Sequence, residues 1–169
     1  VLAYKADFGI VGTYQELGPI ECTPFHDDEI VVVAPSTDKY TRWPPVIDLP
    51  TLLEQPLVLR EIGSGTQKTF EDALAKQGLS AGKLKIRTRL ESMEAVKTAV
   101  LSGLGLAVTS RLAVKPELAA GTLRAFSVYG LNLHRKFYLI KQKQKVLPPV
   151  AEAFFNFIKL LGAKISTAG

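Results

Sequence analysis

Leu57-Val58-Leu59-Arg60-Glu61-Ile62-Gly63-Ser64-Gly65-Thr66-Gln67 is the stretch that decides the fold. An apolar run, a glycine turn and a polar helix start follow one another without a spacer. This is how a strand feeds a covering helix in an α/β sheet. Phe70, Ala73, Leu74 and Gln77 then recur at helical spacing, with Gly78 where a helix C′ residue belongs. Ser64 followed by Gln67 has the form of a capping box and fixes the start of that helix.

Upstream, Glu29–Ala34 is a β-branched strand stopped by Pro35-Ser36, Ile20–Phe25 is a separate extended piece, and Asp7–Gly12 is a short strand ending in Gly12-Thr13. The stretch from Thr37 to Pro50, with Trp43-Pro44-Pro45, is turn-rich and allows at most a short helix. Downstream, Lys85–Leu90 alternates like a strand. Ser92 caps a helix with Met93, Val96, Ala99 and Val100 on one face, and Gly103 stops it. Leu104–Thr109, Thr122–Phe126 and Lys136–Lys141 read as strands, with a short helix or turn over 114–120. Pro148-Pro149 opens a final amphipathic helix, with Val150, Phe154, Phe157, Ile158 and Leu161 inward and Gly162 as its terminator. Strands alternating with helices imply an α/β fold with a mainly parallel sheet. No internal repeat is present.

Composition bounds the function. With 169 residues, 47% hydrophobic and 22% charged, the chain is neither disordered nor collagenous nor a coiled coil. No apolar run approaches the ~18 residues of a membrane span. The net charge is +5, but the basic residues are spread along the chain. The densest run, Lys141-Gln142-Lys143-Gln144-Lys145, reads as a solvated strand end or loop rather than a nucleic-acid patch. A lone Cys22 permits no internal disulfide and suits a reducing compartment, and His26 and His134 have no ligand-spaced partners, so no metal site is expected. The N-terminus has neither a start methionine nor a signal pattern and reads as a chain entered in mid-domain.

Chemistry concentrates at strand ends. The Ser64-Gly65-Thr66 junction aims backbone N–H groups, a helix dipole and two hydroxyls at one point, which suits a carboxylate, sulfate or phosphate. It lacks the Gly-Lys-Ser/Thr ending of a P-loop and the Gly-x-Ser-x-Gly of a nucleophile elbow, and a turn of this kind taken alone is more often simply a helix cap than a ligand site. Gly12-Thr13 and Ser92-Met93 repeat the arrangement more weakly, and Thr109-Ser110 is a fourth candidate. Asp27-Asp28-Glu29 reads as a solvated strand edge, and Arg60-Glu61 as an ion pair beside the cleft. No side chain stands out as an activated nucleophile or general base, so no catalytic residue is assigned and the chain is not expected to be an enzyme.

At these residues the sequence resembles the effector-binding (regulatory) domain of LysR-type transcriptional regulators. The segments that match are Ala6–Val11, Thr23–Val33, Arg60–Thr66, Ser92–Val96 with Gly103–Leu106, and Val146–Phe154, in the family's order over nearly the whole chain. In style it is closest to regulators of sulfur or carbon assimilation, the CysB, CysL and CbbR branches. The resemblance implies a type 2 periplasmic-binding-protein-like fold: two α/β subdomains joined by two crossover strands, the first subdomain incomplete here. Residues 29–140 would be subdomain II, and 1–28 with 141–169 the remaining part of subdomain I. It implies an effector site at Gly12, Thr13, Ser64, Gly65, Thr66, Ser92 and Met93, holding a small anionic effector, a sulfate-like anion or a carboxylated metabolite, and no cofactor. It further implies a cytoplasmic homodimer or homotetramer, off the membrane, that meets DNA only through a winged helix-turn-helix outside this chain. The rival readings are a solute-binding protein of an uptake transporter with the same fold and, more weakly, an enzyme such as a dehydratase.

Overall fold

The structure, a computed structural model, describes residues 6–12 and 18–166. In chain order the elements are β1 (Phe8–Val11), β2 (Ile20–Pro35), α1 (Asp38–Thr41), β3 (Val46–Ile47), α2 (Leu49–Glu54), β4 (Pro56–Arg60), α3 (Gly65–Lys76), β5 (Lys85–Leu90), α4 (Met93–Leu101), β6 (Leu106–Ser110), α5 (Lys115–Ala119), β7 (Leu123–Val128), β8 (His134–Gln142) and α6 (Pro149–Ser166). They form two compact units, Glu29–His134 and the remainder, and β2 and β8 each run from one into the other. The expected division fell at 28/29 and 140/141; the compact units divide at 28/29 and 134/135.

In the Glu29–His134 unit the strand order is β3-β7-β2-β6-β4-β5. β4 pairs in parallel with β5 and β6, and β3 with β7, while β2 runs antiparallel to both β6 and β7. The sheet is therefore parallel except for β2. Ile30, Val32 and Ala34 of β2 pack on one face with Phe70 and Leu74 of α3, and Val31 and Val33 pack on the other with Val96 and Val100 of α4. A strand covered on both faces must be apolar at every position, which is why Ile30–Ala34 shows no alternation.

In the other unit β8 lies between β1 and β2, with β1 antiparallel to β8. Its core joins Leu139, Leu147 and Phe155, with Phe8, Phe25, Ala151 and Ile158 against them.

Four sequence expectations are corrected here. β2 is one strand of 16 residues, not two pieces, and the acidic run in its middle is not a solvated edge. Asp28 is buried against Arg135 of β8, and Asp27 pairs with Lys136 beside it, so the facing strand supplies the counter-charges for both. In α6 the inward face is Ala151, Phe155 and Ile158, whereas Val150, Phe154, Phe157 and Leu161 are exposed. The helix carries two apolar stripes one residue apart, and periodicity alone does not rank them. Gly162 does not end α6, which continues to Ser166; it lies against the Phe25 backbone, where a Cβ would meet the carbonyl oxygen at 2.0 Å.

Candidate functional site

Because β4, β5 and β6 are parallel neighbours, the turns after their C-terminal ends lie along one edge of the sheet. In open α/β sheets this is the edge that receives ligands. Ser64, Gly65 and Thr66 follow β4, Ser92 and Met93 follow β5, and Thr109-Ser110 close β6. Sheet order thus brings five of the seven predicted positions to one edge.

At the β4–α3 junction Ser64 is the N-cap, and its Oγ accepts from the Gln67 N–H at 3.2 Å. The reciprocal half of the capping box does not form. Gln67 Nε2 instead donates to Glu71 Oε1 at 2.6 Å, and the Ser64 N–H closes the turn on the Glu61 carbonyl at 3.3 Å. The turn is completed by Gly63 at φ +93, a backbone conformation that disfavours other residues. The N–H groups of Gly65 and Thr66 are left with no partner among the described residues, as the first turn of a helix dictates. Thr66 is buried. The junction therefore offers donors at the positive end of a helix dipole, the chemistry that takes an anion.

Arg60 and Glu61 do pair beside this turn, Nε and Nη2 each donating to a carboxylate oxygen at 2.7 Å. The Arg60 hydrogen bond holds the Glu61 carboxyl below its ordinary value and, reciprocally, raises the guanidinium. Arg89 reinforces the turn by donating to the Arg60 carbonyl at 3.2 Å.

At the β5–α4 junction Ser92 is again the N-cap, with Oγ 3.5 Å from the Ala95 N–H. Met93 Sδ accepts from the Thr109 hydroxyl at 3.3 Å, joining the third and fourth candidate clusters directly. Thr109 and Ser110 are buried.

Gly12 belongs to the other compact unit, and Thr13 lies outside the described residues. Gly12 packs on Arg135: a Cβ there would meet Nη1 at 2.8 Å. Arg135 and Asp28 were missed in the sequence because the pair is separated by 107 residues. The one signal was the acidic run itself, whose carboxylates needed partners.

A separate cavity of about 340 Å³ lies in the unit outside Glu29–His134, lined by Glu21, Lys141, Lys145, Glu152, Asn156 and Lys159. None of these is a predicted site residue. Two of them come from the lysine run expected to be solvated: Lys141 and Lys145 are half-buried, paired with Glu21 and Asp7. Among the described residues no group of His, Cys, Asp or Glu could hold a metal, and no helix is long and apolar enough to cross a membrane.

Residues 1–161 match the family model of the LysR substrate binding domain. The chain belongs to this family. As a LysR substrate-binding domain it is 34% identical, over 154 residues, to a RuBisCO operon transcriptional regulator of Allochromatium vinosum, covering 91% of this chain and 50% of that protein. The chain thus spans about half the length of that curated relative. Among solved structures it resembles the regulatory domain of Synechocystis CcmR in complex with 2-PG, at a TM-score of 0.81 and 23% identity over 95% of this chain and 76% of that one. It also resembles the effector binding domain of QuiR in complex with shikimate, at a TM-score of 0.80 and 21% identity over 96% of this chain and 75% of that one. The fold is that of LysR effector-binding domains, the type 2 periplasmic-binding-protein-like architecture, and the family is one of regulators rather than of enzymes.

Proposed function

We propose that this LysR substrate-binding domain senses a small anionic effector for a transcriptional regulator. The effector's anionic group would be held at the strand-end edge by the Gly65 and Thr66 N–H groups and the Ser64 and Thr66 hydroxyls, with Ser92 and Met93 shaping the next position along. Gly12 and Thr13 are kept as proposed effector-binding positions. We take the two units to be the two subdomains of the fold, with the second beginning at Glu29. DNA would be met only by a winged helix-turn-helix outside this chain, in a cytoplasmic homo-oligomer, off the membrane.

The observation that carries the reading is the Ser64–Thr66 helix start: two backbone donors without a partner among the described residues, at the ligand-receiving edge, with the buried residue Thr66 beside them. The relatives add direction. A RuBisCO operon regulator among them, and a like-folded domain solved with 2-PG, support a phosphorylated or carboxylated metabolite over a bare inorganic ion. A transporter's solute-binding protein is less favoured, because the RuBisCO operon relative is a regulator. Binding would shift the population of domain states and so change how the oligomer presents its DNA-binding modules.

Isothermal titration of the full-length protein with 2-phosphoglycolate and with shikimate tests this. The expected result is binding of one of these anions that is lost in Ser64→Ala/Thr66→Ala. Equal affinity of the double variant and the wild type would remove the proposed site.

A further inference from the structure

Three lysines from three pieces of chain line the cavity of about 340 Å³: Lys141 from β8, Lys145 from the turn after it and Lys159 from α6. Its volume lies at the lower end of the roughly 300–1,000 Å³ of ligand pockets, which suits a small solute. Phe155 and Leu147, both buried, give it an apolar wall. On α6, Glu152, Asn156 and Lys159 follow one another at single-turn spacing, so one face of the helix borders the cavity.

The lysines of β8 and its turn are not splayed into water as a solvated run would be. The Lys141 and Lys145 side chains are only 27% and 22% exposed. The Lys141 ammonium lies 5.4 Å from the Phe155 ring centroid and is thus held over the apolar wall. Its ion pair with Glu21 is 3.4 Å long, beyond the roughly 2.7–2.9 Å of a charge-assisted hydrogen bond. Lys145 pairs with Asp7, which does not line the cavity. The lining therefore sets three cations against two carboxylates, Glu21 and Glu152, and is net positive. Ammonium groups gathered beside an apolar wall attract an anion more strongly than the same groups in open water, because less water screens them.

We propose that this cavity is an anion site of its own, taking one small oxyanion, a phosphate or a carboxylate, through the ammonium groups of Lys141, Lys145 and Lys159 and the Asn156 amide. It lies within one compact unit and shares no residue with the effector positions, so it does not depend on the effector reading. An anion bound there ties α6 to the end of β8 and stabilises that unit.

The test is amine acylation of the full-length protein, followed residue by residue by mass spectrometry. Inorganic phosphate or acetate is compared with chloride at the same ionic strength. The expected result is slower acylation of Lys141, Lys145 and Lys159 together, with Lys143, which is exposed and outside the cavity, unchanged. Protection by phosphate alone assigns a phosphoryl ligand, and protection by acetate alone a carboxylate. No protection by either anion overturns the proposal, and so does equal protection of Lys143. Lys159→Gln alters an exposed helix position at little cost in helix propensity, so the variant should fold as the wild type does. It should raise the anion concentration that half-protects Lys141 about 10-fold or more; an unchanged concentration overturns the proposal. Ser64→Ala/Thr66→Ala should protect the same three lysines at the wild-type concentration, even where it has lost the effector. Loss of lysine protection in that variant would show that the cavity is not a site of its own.

Discussion

Three consecutive acidic residues in β2 face three different fates. Asp27 makes an exposed pair with Lys136, whose contribution to stability is of the order of 0–1 kcal/mol. Asp28 is buried with Arg135, and removing one partner of such a pair leaves an uncompensated charge. Asp28→Ala is therefore expected to lower unfolding free energy by about 3–5 kcal/mol, while Asp27→Ala changes it by less than about 1 kcal/mol. Urea denaturation of the two variants side by side measures the contrast. Glu29 is intermediate. Partial burial pushes its pKa up, but hydrogen bonds from Arg111 at 2.6 Å and Ser127 at 2.8 Å more than offset this, and the folded value lies below the ordinary 4.5. A carboxyl whose folded pKa is depressed stabilises the fold above its unfolded pKa, and this contribution fades as pH falls through the folded one. Glu29→Gln should therefore cost stability near pH 7 and converge on the wild type as pH falls through the depressed folded pKa. Parallel unfolding curves at every pH would count against that assignment.

At the scale of single elements, α3 was the most legible part of the sequence, because cap, stripe and C′ glycine all lie within one local segment. Ser64 is the N-cap and Phe70, Ala73 and Leu74 are buried as the spacing predicted. Ser64→Ala is expected to cost about 1 kcal/mol, read as a lower urea midpoint with unchanged m-value. The same residue is proposed to bind the effector, so Ser64→Gly, which costs only a few tenths of a kcal/mol at an N-cap, separates lost capping from lost binding. α6 was legible as a helix but not in its orientation. Phe154 and Phe155 are adjacent in sequence, and only the packing of Phe155 with Leu139 and Leu147 settles which of them is core. Gly162 misled for a related reason: a glycine near a helix end signals a stop, unless another backbone needs the space. Gly162→Ala should test this. Helix propensity favours alanine by about 1 kcal/mol, but a Cβ 2.0 Å from the Phe25 carbonyl oxygen forces the helix off the sheet. A net drop in thermal unfolding temperature is the expected outcome.

For the whole molecule, legibility followed contact range. Each strand-end cluster could be found locally, and the gathering of Ser64–Thr66, Ser92-Met93 and Thr109-Ser110 at one edge follows from the order β6-β4-β5. The Asp28–Arg135 pair and the Met93–Thr109 contact required knowing which strands meet, and no spacing rule supplies that. The same limit applies to the molecular surface. Val150, Phe154 and Phe157 are 83%, 54% and 57% exposed, and with Leu161 they make one face of α6. Phe154 also stacks against Phe8 of β1, ring centroids 5.8 Å apart, so the apolar surface continues onto the sheet. Exposed aromatic surface arranged as a stripe, rather than scattered, drives association in water, and a net charge of only +5 opposes it weakly. The 169-residue chain should therefore self-associate: its sedimentation coefficient should rise from low to high micromolar concentration. Phe154→Ser/Phe157→Ser should flatten that dependence while leaving the unfolding temperature nearly unchanged, because neither ring belongs to the Leu139–Leu147–Phe155 core. Strengthening of the association with added salt would identify it as apolar, since an electrostatic contact would weaken instead. A sedimentation coefficient independent of concentration in the unsubstituted chain would show that this face of α6 is not adhesive.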